Sequence, residues 1–256
     1  MTAQDLARRV AGVAAAVVPM PVALWILRAW LVGVAERGGP KGSMRDLIAV
    51  LDVVHARDDR AAIDYDDGIH AKHRLMRYHD FFVERIGRGE HVLDVGCGKG
   101  ELAYDVVTRA GAKVVGVELK HRYLDFARGR FQHDDLTFVE GDALVYVPAV
   151  RFDVIILSNV LEHIEHRVEF LQRLVEVVRP RRVLLRVPVW NRDWVVPLRK
   201  EVGLFPFSDP THFIEYEPRS FEDELRAAGL TITHLQVNWG EIWAEARPQQ
   251  EDSDRS

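Results

Sequence analysis

The stretch Val92-Leu93-Asp94-Val95-Gly96-Cys97-Gly98-Lys99-Gly100-Glu101-Leu102 constrains the fold of this chain more than any other. It reads as a buried apolar strand that breaks into three alternate glycines and then opens a helix. Glycine lets the backbone turn sharply and keeps side chains away from the amides that begin the helix, which is the form of a nucleotide-cofactor site. The spacing is not the G-x-G-x-x-G of the dinucleotide fingerprint.

Further strands follow in order. Lys113 to Glu118 ends in a carboxylate roughly twenty residues past the glycines, the interval at which an acid reaches ribose hydroxyls. Leu136 to Glu140 runs into Gly141-Asp142-Ala143, so Asp142 lies at a strand's carboxyl end, where open α/β sheets bind ligands. Phe152 to Leu157 empties into the ionisable loop Ser158-Asn159-Val160-Leu161-Glu162-His163. The alternative for these acids is that they cap helices or stay solvated. Helical periodicity at Leu102, Val106 and Ala110, and at Val168, Leu171, Leu174, Val175 and Val178, alternates with the strands, the signature of a parallel sheet. A fifth strand, Arg182 to Val187, a helix from Arg219 to Ala228, and a hairpin of Thr231 to Val237 with Glu241 to Ala246 complete the pattern.

Four ordered motifs, at 92–100, 116–119, 140–143 and 158–164, resemble those of the class I S-adenosylmethionine-dependent methyltransferases, especially the small-molecule group with quinone-biosynthesis and polysaccharide-associated enzymes. The resemblance spans residues 65–246. It implies a Rossmann-like α/β fold, mostly parallel with a terminal antiparallel hairpin strand and helices on both faces. It also implies S-adenosylmethionine as cofactor: Asp94, Gly96, Gly98 and Gly100 hold its methionine part, Glu118 the ribose diol and Leu119 one adenine face. Asp142 and Ala143 then read the adenine edge, while Asn159 and Val160 lie beside the sulfonium and amino group. The segment from Gly68 to His79 closes over the cofactor in similar enzymes, so Lys72 or Arg74 would meet its carboxylate; a solvated basic helix face is the alternative.

Methyl transfer to a hydroxyl needs a base, and histidine has a suitable pKa. His163, after the fourth strand, and His212, in the long connection 188–217, are the catalytic candidates. That connection holds Trp190, Trp194, Phe205, Phe207, Phe213 and Tyr216 and reads as the wall of the acceptor pocket, because long loops in compact domains are commonly binding loops. Asp209 is placed to orient His212. Some quinone-type O-methyltransferases bind a divalent cation through Glu-x-x-Glu-His at this point; here Asn159, Glu162 and His163 lack the first carboxylate, and no metal is expected. Against methyl transfer stand a nucleotide-cofactor binding protein without transfer activity and a Rossmann oxidoreductase, though the glycine spacing, Asp142 and the final hairpin speak against the oxidoreductase.

A formal net charge of -5 argues against nucleic acid as an electrostatically captured partner and favours a small-molecule acceptor. The single cysteine, Cys97, permits no disulfide within the chain and suits a reducing cytoplasm; it reads as a small residue fitting a tight turn. Three regions follow: a helical extension over 1–64, the methyltransferase domain over 65–247 and a disordered tail over 248–256. Ala11 to Leu27 is almost wholly apolar but interrupted by Pro19 and Pro21. It reads as a helical cap packed on the core, with weak association at the inner face of a membrane as the alternative. Gly38 to Gly42 reads as a breaker, and Ser43 as the cap of a helix to His55.

Overall fold

The computed structural model describes residues 12, 17–146, 150–207 and 209–249. Of the tail expected to be disordered over 248–256, Pro248 instead ends the last strand and the Gln249 amide donates to the Gly229 carbonyl at 2.8 Å; the rest of it and the start of the apolar N-terminal run lie outside the described residues. The apolar runs form β1 (His91–Val95), β2 (Lys113–Glu118), β3 (Leu136–Glu140), β4 (Val154–Ser158), β5 (Arg182–Pro188), β6 (Leu230–Asn238) and β7 (Glu241–Pro248). They make one seven-stranded sheet in the order β3-β2-β1-β4-β5-β7-β6. β1 to β5 run parallel, and β7 lies antiparallel to β5 and to β6. Trp239 and Gly240, at φ 55° and 74°, make the two-residue turn that closes the hairpin, the backbone such turns require.

Helices α1 (Met20–Ala35), α2 (Gly39–Tyr65), α3 (Lys72–Met76) and α4 (Tyr78–Val83) precede the sheet. Between its strands come α5 (Glu101–Asp105, continued by a wider π-type turn to Ala110), α6 (His121–Arg130), α7 (Arg167–Val178), α8 (Val195–Val202) and α9 (Pro218–Ala227). Successive strand side chains face opposite ways, and both faces are buried. Leu93, Val95, Ile155, Leu157, Val183 and Leu185 join the core formed with α7 and α9. Val92, Val114, Ile156, Leu184 and Trp243 join the core formed with α4, α5 and α6. Burial on both faces is why these strands read as continuous Val, Ile and Leu runs rather than as alternating ones.

The N-terminal helices depart from expectation in two ways. Gly38 and Gly39 make the break, at φ 66° and 71°, and α2 begins at Gly39 with Pro40 in the first turn. Ser43 therefore lies inside α2, where its single hydroxyl proton has the carbonyls of Arg37 and Gly39, each at 3.0 Å, and of Ala35 within reach as acceptors. The helix runs past His55 to Tyr65 because no glycine or proline interrupts 56–65, and Arg60 pairs with Asp64 at 3.1 Å one turn on. The second departure concerns α1: it packs chiefly on α2, and Val34 is its buried residue. It does not cap the sheet.

Gly100 shows how tightly the core sets the start of α5. It sits at φ 83°, and a Cβ there would fall 2.6 Å from the Phe138 ring. Gly100→Ala is expected to lower stability by about 1–3 kcal/mol in urea denaturation, through left-handed strain plus overpacking. Gly129→Ala, inside α6 with nothing within 4 Å of the new methyl, is expected to raise stability by about 0.5–1 kcal/mol. Equal effects would show that Phe138 yields freely.

Candidate active site

The site is built at the carboxyl ends of the parallel strands. Past β1 the glycine turn folds over β2, with the amides of Gly96 and Cys97 donating to the Val117 carbonyl at 2.8 and 3.0 Å. Glu118, 8% exposed, accepts from the Gly98 amide at 3.0 Å through one oxygen and from the Lys120 amide at 2.8 Å through the other. Each oxygen keeps a lone pair for a ligand hydroxyl. A Cβ on Gly98 would meet nothing within 4 Å, so the turn presents open space at its middle glycine. This is the cradle a nucleotide cofactor requires.

Asp94 lies beneath that cradle, 2% exposed, and its Oδ2 has no partner. Burial, reinforced by Glu118, pushes its carboxyl up to about 8. An unpaired buried acid at this point fits a cationic ligand group, such as the amino group of S-adenosylmethionine. Cys97 is buried nearby, and burial, then Asp94, push its thiol up as well. It packs where a Cβ on Gly116 would meet its Sγ at 2.8 Å, consistent with a packing role rather than a nucleophilic one.

Asp142 follows β3. The Gly141 amide donates to the Glu118 carbonyl at 3.1 Å, which brings the two acids to one rim. Asp142 accepts from the Leu144 amide at 2.9 Å; Leu119, next after Glu118, is 62% exposed, and Ala143 packs partly against the core. After β4, Asn159 takes φ 56°, a conformation asparagine tolerates better than most residues, and donates from Nδ2 to Glu162 at 2.6 Å. Val160 closes on the turn, with its Cγ2 2.8 Å from a Cβ built on Gly96.

The two histidines expected separately meet edge to face, ring centroids 4.7 Å apart and planes 73° apart. His212 Nδ1 lies 3.2 Å from Glu215, a fully buried carboxylate that also pairs with Arg192. His163 Nδ1 lies 2.9 Å from the Thr211 hydroxyl, which donates to Asp209 at 2.6 Å. Asp209 therefore supports His163 through Thr211, and Glu215, not Asp209, orients His212. If both Nδ1 atoms donate in this network, both Nε2 atoms carry lone pairs. Burial, then the facing His212, hold His163 below the ordinary imidazole range. Glu162, fully buried, adds an unpartnered Oε2, and burial pushes its carboxyl up to about 7. Ligand atoms of Glu162, His163 and His212 lie within 4.8 Å of one another and could hold a metal ion.

Lys72 and Arg74 do not converge. Arg74 pairs with Asp66 at 3.1 Å at a cleft shared with Glu101 and Tyr104, while the charges acting on Lys72 are those of Arg186, Glu241 and Asp59. Sequence reasoning passed over Arg186 and Glu215. Arg186 is 4% exposed, forks onto Glu241 at 2.5 and 2.6 Å and lies 3.7 Å from the Tyr78 ring centre. An arginine inside Val183-Leu184-Leu185-Arg186-Val187 was a visible signal. Glu215 had none in a loop otherwise read for its aromatics. A cleft of about 810 Å³ runs between α2 and the 192–210 segment, lined by Ile48, Leu51, His55, Arg192, Phe205 and Phe207.

The methyltransferase domain family matches residues 68–235. The ubiquinone biosynthesis O-methyltransferase of Actinobacillus pleuropneumoniae is 33% identical over 106 residues, 38% of this chain and 44% of that one. The enzyme of the same name from Rhodopseudomonas palustris is 30% identical over 108 residues, 41% and 42%. The match thus spans less than half the length of these relatives. Magnesium protoporphyrin IX methyltransferase from Synechocystis, solved with bound S-adenosylhomocysteine, shares the fold at TM-score 0.55 and 21% identity, covering 68% of this chain and 83% of that one. The cyclase SpnF does so at 0.51 and 17%, covering 68% and 81%, so the sheet alone does not fix the reaction.

Asp94 gives a test with a defined sign. Its folded pKa lies above the 3.8 of the free group, so the neutral carboxyl favours folding, and that stability is lost as pH rises from about 4 through about 8. Asp94→Asn stays neutral throughout. Its Tm without ligand is expected to exceed that of the native chain at pH 8 by at least about 2–4 °C, while its affinity for S-adenosylmethionine by calorimetry falls roughly tenfold or more. Unchanged affinity would remove Asp94 from the cofactor site.

Proposed function

Because the chain belongs to the methyltransferase domain family, we propose that it moves a methyl group from S-adenosylmethionine to a hydroxyl of a small, lipid-linked or saccharide acceptor. The observation that carries the hydroxyl is the His212–Glu215 pair. The names of the relatives, O-methyltransferases of ubiquinone biosynthesis, support an oxygen acceptor.

S-adenosylmethionine supplies a methyl already activated on a sulfonium, so the chain must chiefly hold donor and acceptor in line. Asp94 and the glycine turn take the methionine end, Glu118 the ribose, and Leu119, Asp142 and Ala143 the adenine. Asn159 and Val160 hold the wall beside the reacting end. The acceptor enters the cleft between α2 and the aromatic 188–217 connection. Its hydroxyl proton passes to His212 Nε2, and Glu215, hydrogen-bonded to Nδ1, stabilises the imidazolium that forms. His163, held neutral, packs against the base and fixes its ring.

Methyl-labelled S-adenosylmethionine incubated with the aqueous and lipid fractions of a bacterial extract identifies the acceptor fraction, and the variants are then assayed on it. Glu118→Ala and Asp142→Ala are expected to weaken cofactor binding by about 1.5–3 kcal/mol each. His212→Ala should keep cofactor affinity and lose about a hundredfold or more in rate. Glu215→Gln should lower the rate on that acceptor while keeping cofactor affinity, because the ring loses the carboxylate that orients it. Full rate in His212→Ala from neutral to alkaline pH would exclude it as the base.

The unpartnered Glu162 Oε2 beside both rings favours one second reading, a divalent cation that activates the hydroxyl. Asn159 replaces the first carboxylate of the quinone-type motif, and His212 stands in from another loop. Chelation that lowers both Tm and rate, with recovery on adding Zn²⁺ or Mn²⁺ in the native chain but not in Glu162→Gln, selects this reading. Indifference to chelation selects the proton base.

A further inference from the structure

Among the described residues no helix is long and apolar enough to cross a membrane, and α1 carries an apolar surface that stands exposed among them. Val22, Leu24, Trp25, Ile26, Leu27, Trp30 and Val32 are each between 43% and 69% exposed. At 3.6 residues per turn these side chains point all round the axis and leave no arc wider than about a quarter-turn. An apolar surface this wide, with Arg28 in its widest gap, suits partial immersion in a nonpolar medium rather than contact with one flat protein face. A second copy of the chain would cover one stripe and leave the rest in water.

Charge names the medium. From Met20 to Arg45 the chain carries Arg28, Arg37, Lys41 and Arg45 against the single acid Glu36, although its net charge is -5. Trp25 and Trp30 add amphipathic rings of the kind that settle at headgroup depth. Cations and tryptophans around an apolar helix too short to span suit the boundary of an anionic lipid bilayer.

The same helices lead to the acceptor cleft. α1 packs on α2, and Ile48, Leu51 and His55 of α2 form one wall of that cleft. Arg192 lines the opposite wall and pairs with Glu215, which holds His212. Arg199 forks onto Asp52 at 2.7 and 3.0 Å, fixing α2 to α8 at this point. A continuous path therefore runs from α1, through α2 and the cleft, to the base.

We propose that α1 docks in the interface of an anionic bilayer and opens the cleft between α2 and the 192–210 segment toward it, so that the acceptor is a membrane-resident lipid with a hydroxyl-bearing head. The acceptor half of this proposal rests on the methyl-transfer reading above; the docking half does not.

The full chain is floated with vesicles of equimolar phosphatidylglycerol and phosphatidylcholine, and with phosphatidylcholine alone. The expected result is flotation with the anionic vesicles, weaker flotation with the neutral ones, and at least about a tenfold loss in Trp25→Glu/Trp30→Glu. Arg37→Ala/Lys41→Ala should lose only the preference for anionic vesicles. Both variants are checked for native cofactor affinity by calorimetry, so that misfolding is recognised. Absence of flotation, or flotation unchanged by Trp25→Glu/Trp30→Glu, overturns the proposal. So does a lipid-free dimer in sedimentation velocity that this variant dissociates without any vesicle binding, since the surface then belongs to a second copy. Label from S-adenosylmethionine should appear in the lipid fraction of the extract; label confined to the aqueous fraction overturns the acceptor half. Flotation without cofactor binding would defeat the methyl-transfer reading and leave the docking intact.

Discussion

The carboxylate of Glu118 is the joint on which the cofactor end of the site depends. Its two oxygens accept backbone amides from either side, Gly98 in the turn after β1 and Lys120 beyond β2. Charge-assisted bonds of this kind are roughly twice as strong as neutral ones, and here they tie two strand ends without a side-chain donor. The glycine turn is thereby held open over Asp94. Because Gly141 donates to the Glu118 carbonyl, the loop carrying Asp142 is registered on the same residue. A single carboxylate thus organises the rim before any ligand arrives, and the ligand then shares a group already in place.

Stability and readiness pull in opposite directions at two other acids. Asp94 and Glu162 are buried, each with an oxygen that finds no partner, and burial drives both carboxyls up, to about 8 and about 7. A fold selected for stability alone would place an apolar side chain at either point. Their retention makes sense if each meets a positive partner in the working state: an ammonium at Asp94, an imidazolium or cation at Glu162. The same partner would return both groups to their ionised form, so ligand binding and proton uptake or release are coupled at each.

The sheet was legible because its signal is local. Strand runs buried on both faces, glycines at a strand end and a hairpin with Trp239-Gly240 at its turn each announce themselves within ten residues, and their order leaves few topologies. The positions of Asp94, Glu118 and Asp142 were legible for the same reason, since each sits at the carboxyl end of its own strand. What could not be read is contact between segments distant in the chain. His163 and His212 are separated by the whole of α7, β5 and α8, and nothing in either neighbourhood says that the rings meet or that Glu215 replaces Asp209 as partner of His212. Ser43 failed differently: its sequence suits an N-cap, but the left-handed Gly38 had already started the helix, leaving the hydroxyl within reach of the last carbonyl of α1 and of the turn after it. For α1, a 16-residue apolar helix suggested burial in the core, and sequence could not show that the core has no face left for it.

Arg186 explains how the segment before the sheet can be both separate from it and coupled to the site. Arginine stays charged when buried, so on β5 it needs Glu241 of the antiparallel β7, and losing either partner would leave an uncompensated buried charge. The terminal antiparallel strand is therefore required by the site's own electrostatics as well as by closure of the sheet edge. The guanidinium face that remains is covered by the Tyr78 ring of α4, an arrangement worth about 0.5–2 kcal/mol. Tyr78 in turn touches His73 of α3 at 3.2 Å. Through its backbone carbonyl Arg186 also accepts the Asn159 amide at 2.8 Å, the residue whose left-handed turn aims Glu162 at the histidines. The helices before the sheet and the loop that presents Glu162 and His163 thus meet at one residue, Arg186, which Tyr78 of α4 covers from one side and the Asn159 amide reaches from the other.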